Sequence, residues 1–159
     1  MKYHSQSFPE NLEQAIEKVE QKIGPGVAGR LRVFLGRCKK IGLEPKSGKA
    51  WVSFRRQALI KYSDWPNPKP YLLTVFYIIA DTYPQTLWFP VNQYYSNVIG
   101  FDTEHLSERL RELGFIPKRQ YSDFEIDLKE HNDQAFFGAL FALVEETSQE
   151  LEGTLQSIH

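Results

Sequence analysis

Cysteine occurs once in this 159-residue chain, at Cys38, and no apolar run approaches the length of a membrane span. A lone cysteine excludes an internal disulfide and fits a reducing compartment. A bilayer-spanning helix needs roughly 20 apolar residues. The longest candidate, residues 71–80 (YLLTVFYIIA), is far shorter and is ended by Asp81 and Pro84. The first residues, MKYHSQSFPENLEQ, lack the apolar core of a secretory signal, so the expected location is cytoplasmic. The formal net charge of −1 gives the whole molecule no strong field. His4, His105, His131 and His159 stand without a second ligand at metal spacing. No G-x-S-x-G elbow and no dinucleotide-binding glycine fingerprint are present. Ser47-Gly48-Lys49 lacks both the upstream glycine and the following hydroxyl residue of a phosphate loop. No catalytic set, metal or cofactor is therefore expected. Cys38 itself falls on the apolar face of a predicted helix, where a thiol behaves as a small hydrophobe.

What the chain does have is ordinary globular composition, 42% hydrophobic and 25% charged, enough for one core and too little for two domains. Residues 1–159 read as one domain, with about 152–159 as a frayed tail. Ser7-Phe8-Pro9-Glu10 has the spacing of a capping box. Leu12, Ala15, Ile16, Val19 and Ile23 then form one helical stripe, stopped at Gly24-Pro25-Gly26. A second helix over 27–41 presents Val27, Leu31, Phe34, Leu35, Cys38 and Ile41 on one face, and Gly42 supplies its left-handed stop. A strand is predicted from Trp51 through Ile60, and the prolines of 62–70 predict a loop. Residues 71–80 are aromatic and β-branched, as strands prefer, and apolar enough for a central strand covered on both faces. After a turn at 81–86 the chain is expected to return as a strand over 87–95, forming a hairpin. A helix over 103–113 follows, capped by Asp102 or Thr103. Alternation over 124–129 predicts a half-buried strand. Asn132 or Asp133 caps a last helix with Phe136, Phe137, Leu140, Phe141 and Val144 on its apolar face. The expected fold is α+β, a mainly antiparallel sheet of about four strands covered by helices, in the order α-α-β-β-β-α-β-α.

The small net charge conceals segregation. Between Arg30 and Lys61 stand Arg30, Arg32, Arg37, Lys39, Lys40, Lys46, Lys49, Arg55, Arg56 and Lys61, against the single acid Glu44. From residue 121 onward the balance inverts, with Asp123, Glu125, Asp127, Glu130, Asp133, Glu145, Glu146, Glu150 and Glu152 against Lys129. A basic cluster is the footprint of phosphate contacts, and the aromatics beside it, Trp51, Phe54, Tyr62 and Trp65, suit base stacking. The alternative is equally concrete: the cations solvate a helix face or pair with the acidic C-terminal helix, and Trp51 and Phe54 are core.

Three segments resemble the N-terminal DNA-recognition domain of McrBC-type, modification-dependent restriction systems. They are Ser47-Gly48-Lys49-Ala50-Trp51-Val52, then Leu87-Trp88-Phe89-Pro90-Val91-Asn92-Gln93, then Phe124-Glu125-Ile126-Asp127-Leu128. The resemblance implies a non-catalytic domain that binds modified DNA with a flipped base in a pocket. It singles out Trp51, Asn92, Gln93, Tyr94 and Tyr95 as positions of interest. The chain departs from the family in its glycine pattern, in the missing Pro-Trp after it, and in Val91 before Asn92.

These readings converge on a non-catalytic module that binds nucleic acid. Arg30, Arg37, Lys40, Arg55 and Arg56 are the expected phosphate contacts, with Trp51, Tyr94 and Tyr95 as stacking groups and Asn92 and Gln93 beside them. Two rivals stay open. One is a protein-interaction or small regulatory protein using its acidic C-terminal helix. The other is a metal-dependent nuclease, in which Asp127 and Lys129 on one strand face form a D-x-K pair with Glu125 beside them.

Overall fold

Helical spacing of apolar residues builds one layer of the molecule. The computed structural model describes residues 8–48, 51–79, 85–118 and 123–157. In it, α1 (Glu10–Lys22) buries Leu12, Ala15, Ile16 and Val19. Ser7, one half of the expected capping box, lies outside the described residues. Helix α2 (Pro25–Lys40) starts two residues earlier than its apolar face predicts. Gly24, at φ 144°, breaks the chain there, and Pro25 occupies the first turn, where a missing N–H costs nothing. Gly42, at φ 105°, ends the segment as its position predicts. Helix α3 (Thr103–Glu112) is capped by Asp102, which accepts from the His105 amide at 3.0 Å. Helix α4 (Gln134–Thr154) is capped by Asp133, which accepts from the Phe136 amide at 2.8 Å. It continues past Glu150 because Thr147, Ser148 and Leu151 carry its buried face onward, so residues 152–154 are helical where a frayed tail was expected. No described helix is long and apolar enough to cross a membrane.

The other layer is an antiparallel sheet of six strands, in the order β1-β2-β3-β4-β6-β5. They are β1 (Glu44–Ser47), β2 (Trp51–Ile60), β3 (Lys69–Ile79), β4 (Thr86–Phe89), β5 (Ile116–Pro117) and β6 (Phe124–Asp127). The two strands beyond the expected four are the edges, β1 and β5. Each carries a proline, which an edge tolerates because its outer N–H has no partner to lose. Strand β3 begins inside the predicted loop, at Lys69. Pro70 fits there because its partner Leu59 directs its own polar groups elsewhere. The Leu59 amide donates to the Thr154 hydroxyl at 2.8 Å, and its carbonyl accepts from the Ile99 amide at 2.9 Å. Phe54 pairs with Phe76 and Arg55 with Thr74, so Val75 is bulged out of the ladder. Its carbonyl is satisfied by the Tyr95 hydroxyl at 2.8 Å.

Helices cover one face of this sheet. Phe54 and Phe76 stack at 5.0 Å, and Phe34 of α2 lies 5.7 Å from Phe76 and 5.7 Å from Phe137 of α4. Phe115, just after α3, meets Phe89 at 5.4 Å, and Arg109 of α3 pairs with Glu146 of α4 at 2.6 Å, so α3 belongs to the same layer. Strand β3 is therefore not covered on both faces by helices. Alternation turns Leu73, Phe76 and Ile78 inward and leaves Leu72, Thr74 and Tyr77 half-buried on the other side.

Candidate nucleic-acid interface

The face of the sheet opposite the described helices has a built aromatic row. Cross-strand register places Lys46, Ser53, Tyr77, Trp88, Glu125 and Ile116 side by side across all six strands. The Tyr77 and Trp88 rings stack at 5.4 Å, 20° from parallel. Trp51, 45% exposed, extends the row 5.7 Å from Tyr77. Cross-strand aromatic pairs of this kind stabilise a sheet and fix ring orientation together. Lys118 lies 5.2 Å over the Trp88 ring and pairs with Glu125 at 3.4 Å. Arg55 is next along β2 on the same face, and among the described residues it has no ion-pair partner.

Asp123 anchors one end of the row. It is fully buried, and one carboxylate oxygen accepts from Trp88 Nε1 at 3.1 Å. The other accepts from the backbone amides of Asn92 and Gln93, at 3.0 and 3.2 Å. Three donors thus satisfy this buried carboxylate. The expected strand over 87–95 ends instead at Phe89. Pro90 offers no amide to a ladder, residues 91–94 turn, and Tyr95–Asn97 forms a short 3-10 helix. Burial raises the Tyr77 hydroxyl above the ordinary phenol range, and the Asp123, Tyr94 and Glu125 charges add to it. Burial likewise raises Tyr62, helped by Tyr71 and Tyr94. A second aromatic cluster lies at the β2–β3 connection. There Tyr62 and Trp65 meet at 4.8 Å, Trp65 and Tyr71 at 5.8 Å, and Lys69 lies 4.4 Å over Trp65.

The residues singled out in the sequence divide among several places. Trp51 and Arg55 belong to the aromatic face, Asn92 and Gln93 are exposed at its Asp123 end, and Tyr94 is half-buried in the same turn, packed against the core. Tyr95 is fully buried against Phe101 at 5.2 Å and cannot stack on a ligand. Arg56 points to the helical side, donating to the Ile41 carbonyl and pairing with Glu152 at 2.7 Å; its side chain is 17% exposed. Arg30, Arg37 and Lys40 lie along α2, in the helical layer, away from the aromatic row. Arg30 donates to the Asn132 carbonyl at 2.9 Å, and Arg37 covers the Phe141 ring at 3.9 Å. Lys49 lies outside the described residues. The acidic C-terminal segment meets the basic one through Glu152, while Glu146 goes to Arg109 and Glu125 to Lys118.

Tyr77, Trp88, Asp123, Lys46 and Lys118 are the members that sequence reasoning did not assign. The polar tips of Tyr77 and Trp88, set within otherwise apolar strands, are the signal that marks the outer face. The D-x-K pair does not share a strand. Strand β6 ends at Asp127, whose carboxylate accepts from the Lys129 amide at 2.8 Å, and Lys129 sits in the following turn. Among the described residues no group of three or more His, Cys, Asp or Glu side chains is placed to hold a metal ion. Burial pushes the Cys38 thiol up, out of nucleophilic range. Compared with known proteins, the chain matches no family model, no curated sequence and no solved structure.

Proposed function

We propose that this protein is a non-catalytic module that binds single-stranded nucleic acid on the open face of its sheet. The observation that supports this reading is the Trp51–Tyr77–Trp88 row, with Lys46, Arg55 and Lys118 around it. Tyr77 and Trp88 stack on one another and support Trp51, whose 45% exposed ring accepts a base of any sequence by stacking, while nearby cations neutralise the backbone. A duplex keeps its base faces stacked on each other, so this surface favours an unpaired strand or an extruded base. The base recognition implied by the McrBC-type resemblance belongs to the same surface, where the exposed side-chain carboxamides of Asn92 and Gln93 can read the edge of a stacked base. Of the cations expected from the sequence, Arg55 stays in the proposal, while Arg30, Arg37, Lys40 and Arg56 leave it.

Fluorescence anisotropy with labelled oligothymidine tests the reading. Binding is expected to fall steeply with added salt, and Trp51→Ala is expected to weaken it about tenfold, since one base-ring stack is worth roughly 1–3 kcal/mol. Equal affinity in wild type and Trp51→Ala would remove the aromatic row as the binding surface.

A further inference from the structure

A second surface lies in the helical layer, independent of the sheet. A groove of about 540 Å³ runs between α2 and the start of α4. Phe34 and Phe137 form its floor, Gly29 and Gly138 its walls, and Arg30 and Arg37 its charged rim. Val33, 63% exposed, sits between the two arginines. A smaller hollow of about 260 Å³ continues it toward Lys40 past Arg32 and Gly36. No acidic residue lines either.

Each element of the groove is more than leftover space. Glycine is a poor residue for a helix interior, and packing does not demand it at the walls: a Cβ added at Gly29 or Gly138 meets nothing within 4 Å. What their small size does is keep the groove open. Arg30 is held at the rim by its Nε bond to the Asn132 carbonyl, and its Nη atoms lie toward Gly26. Arg37 sits over Phe141, its guanidinium carbon 3.9 Å from the ring centroid. An arginine fixed through one nitrogen or one ring face keeps other N–H groups for a carboxylate, which it grips in a fork. Arg30 and Arg37 are two helical turns apart, about 10 Å along the axis. Carboxylates at the same interval on a partner helix meet both.

We infer that this groove docks an acidic amphipathic helix of a partner protein. One apolar face of that helix would seat against Val33, Phe34 and Phe137, and its flanking glutamates or aspartates would meet Arg30 and Arg37. The apolar lining separates this from simple polyanion attraction: Val33 stands 63% exposed above the buried Phe34 and Phe137, and a phosphate backbone has nothing to place against it. Helix-in-groove recognition uses this division of labour, with apolar anchors for affinity and rim charges for selection.

The test uses the full chain and a short designed helical peptide with leucine and phenylalanine on one face and glutamates beside them. A panel varies the order of its apolar face. A counterpart has glutamine in place of every glutamate, and oligothymidine serves as competitor. The acidic peptide should bind at least about tenfold tighter than its glutamine counterpart, a difference of about 1.4 kcal/mol. Arg37→Ala and the groove-filling Gly138→Leu should each weaken it by a similar factor, while Trp51→Ala leaves it unchanged. Circular dichroism of each variant checks that the fold persists, and Gly138→Ala provides a milder block. Four results overturn the proposal: no member of the panel binds; acidic and glutamine peptides bind alike; folded Gly138→Leu binds as wild type; or oligothymidine displaces the peptide from the groove. Concentration-dependent self-association lost in Gly138→Leu would assign the groove to a second copy of the chain and likewise overturn it. Trp51→Ala separates this outcome from failure of the nucleic-acid reading, because the two surfaces share no residue.

Discussion

The sheet face and the α2 face both join cations to aromatic rings, yet they present opposite surfaces. On the sheet, alternation sets Tyr77 and Trp88 on the outer side, stacked on one another and half-buried, and the cations Lys46, Arg55 and Lys118 surround them. On α2 the rings lie beneath the charges. Phe34 and Phe137 are floor, and Arg37 lies over Phe141. A helix lets long cations bend over its apolar flank, whereas a strand stands them beside its neighbours. The ten-cation segment from Arg30 to Lys61 therefore crosses the molecule from one face to the other, and a cluster in sequence is not a patch in space. The sheet surface offers one exposed ring, Trp51, at the end of a stacked row with charge at its margins. The helix surface offers a charged margin over a buried floor.

Asp123→Ala should produce the largest effect, and on the sheet face alone. It leaves the Trp88 indole N–H and the Asn92 and Gln93 amides without their acceptor. Hydrogen bonds to a charged group contribute about 1.5–3 kcal/mol each, and three lost together should cost on the order of 3–4 kcal/mol after solvent relaxation. Urea denaturation measures the loss. Trp88→Phe removes one of the three donors and should cost about 1 kcal/mol. A penalty for Asp123→Ala no larger than that of Trp88→Phe would mean that the turn at 91–94 holds itself. Oligothymidine binding should fall with Asp123→Ala, while acidic-peptide binding in the α2 groove persists in the folded fraction.

How much of this was legible in the sequence follows from how local each cause is. Helices α1 to α4 were readable because their apolar spacing and the caps Asp102 and Asp133 lie within the element itself. Strands β2 and β3 were readable from long aromatic and β-branched runs. Strands β1 and β5 were not: EPKS and the pair Ile116-Pro117 have no pattern of their own, and they are strands because β2 and β6 offer them an edge. The turn after Phe89 was misread because its organiser, Asp123, stands about 30 positions downstream. On the outer sheet face, Trp51 and Arg55 were named from the sequence by residue type. Tyr77 and Trp88 were missed because a strand apolar on one face and aromatic on the other looks continuously apolar when written in line. The division of the cations between faces needed the register of the whole sheet.

Arg55→Ala and Trp51→Ala sharpen the comparison at the next level. If the sheet face binds a nucleic-acid strand, removing one phosphate contact should lower the slope of log affinity against log salt by about 1. Removing a stacking ring should lower affinity by about tenfold and leave that slope unchanged. Salt titrations of the two variants measure both. Identical slopes in Arg55→Ala and wild type would take Arg55 out of the contact set while leaving the ring row in place.

The smallest effect, and one opposite in sign, belongs to the groove. Gly29→Ala and Gly138→Ala each replace a helix-interior glycine with the best helix former, and an added Cβ meets nothing within 4 Å at either position. Each should stabilise the fold by about 0.5–1 kcal/mol, read as a higher denaturant midpoint at unchanged m-value. Gly42→Ala provides the contrast. Its φ of 105° strains any side chain, and a Cβ there runs into the Arg56 guanidinium, so it should destabilise by about 1 kcal/mol or more. Gain at the two wall positions with loss at Gly42 means that the walls carry glycine at a cost to stability that no internal contact requires. Loss at all three would mean that α2 and α4 already use those positions for close packing, and the groove would then be a by-product of helix geometry rather than a surface kept open for a partner.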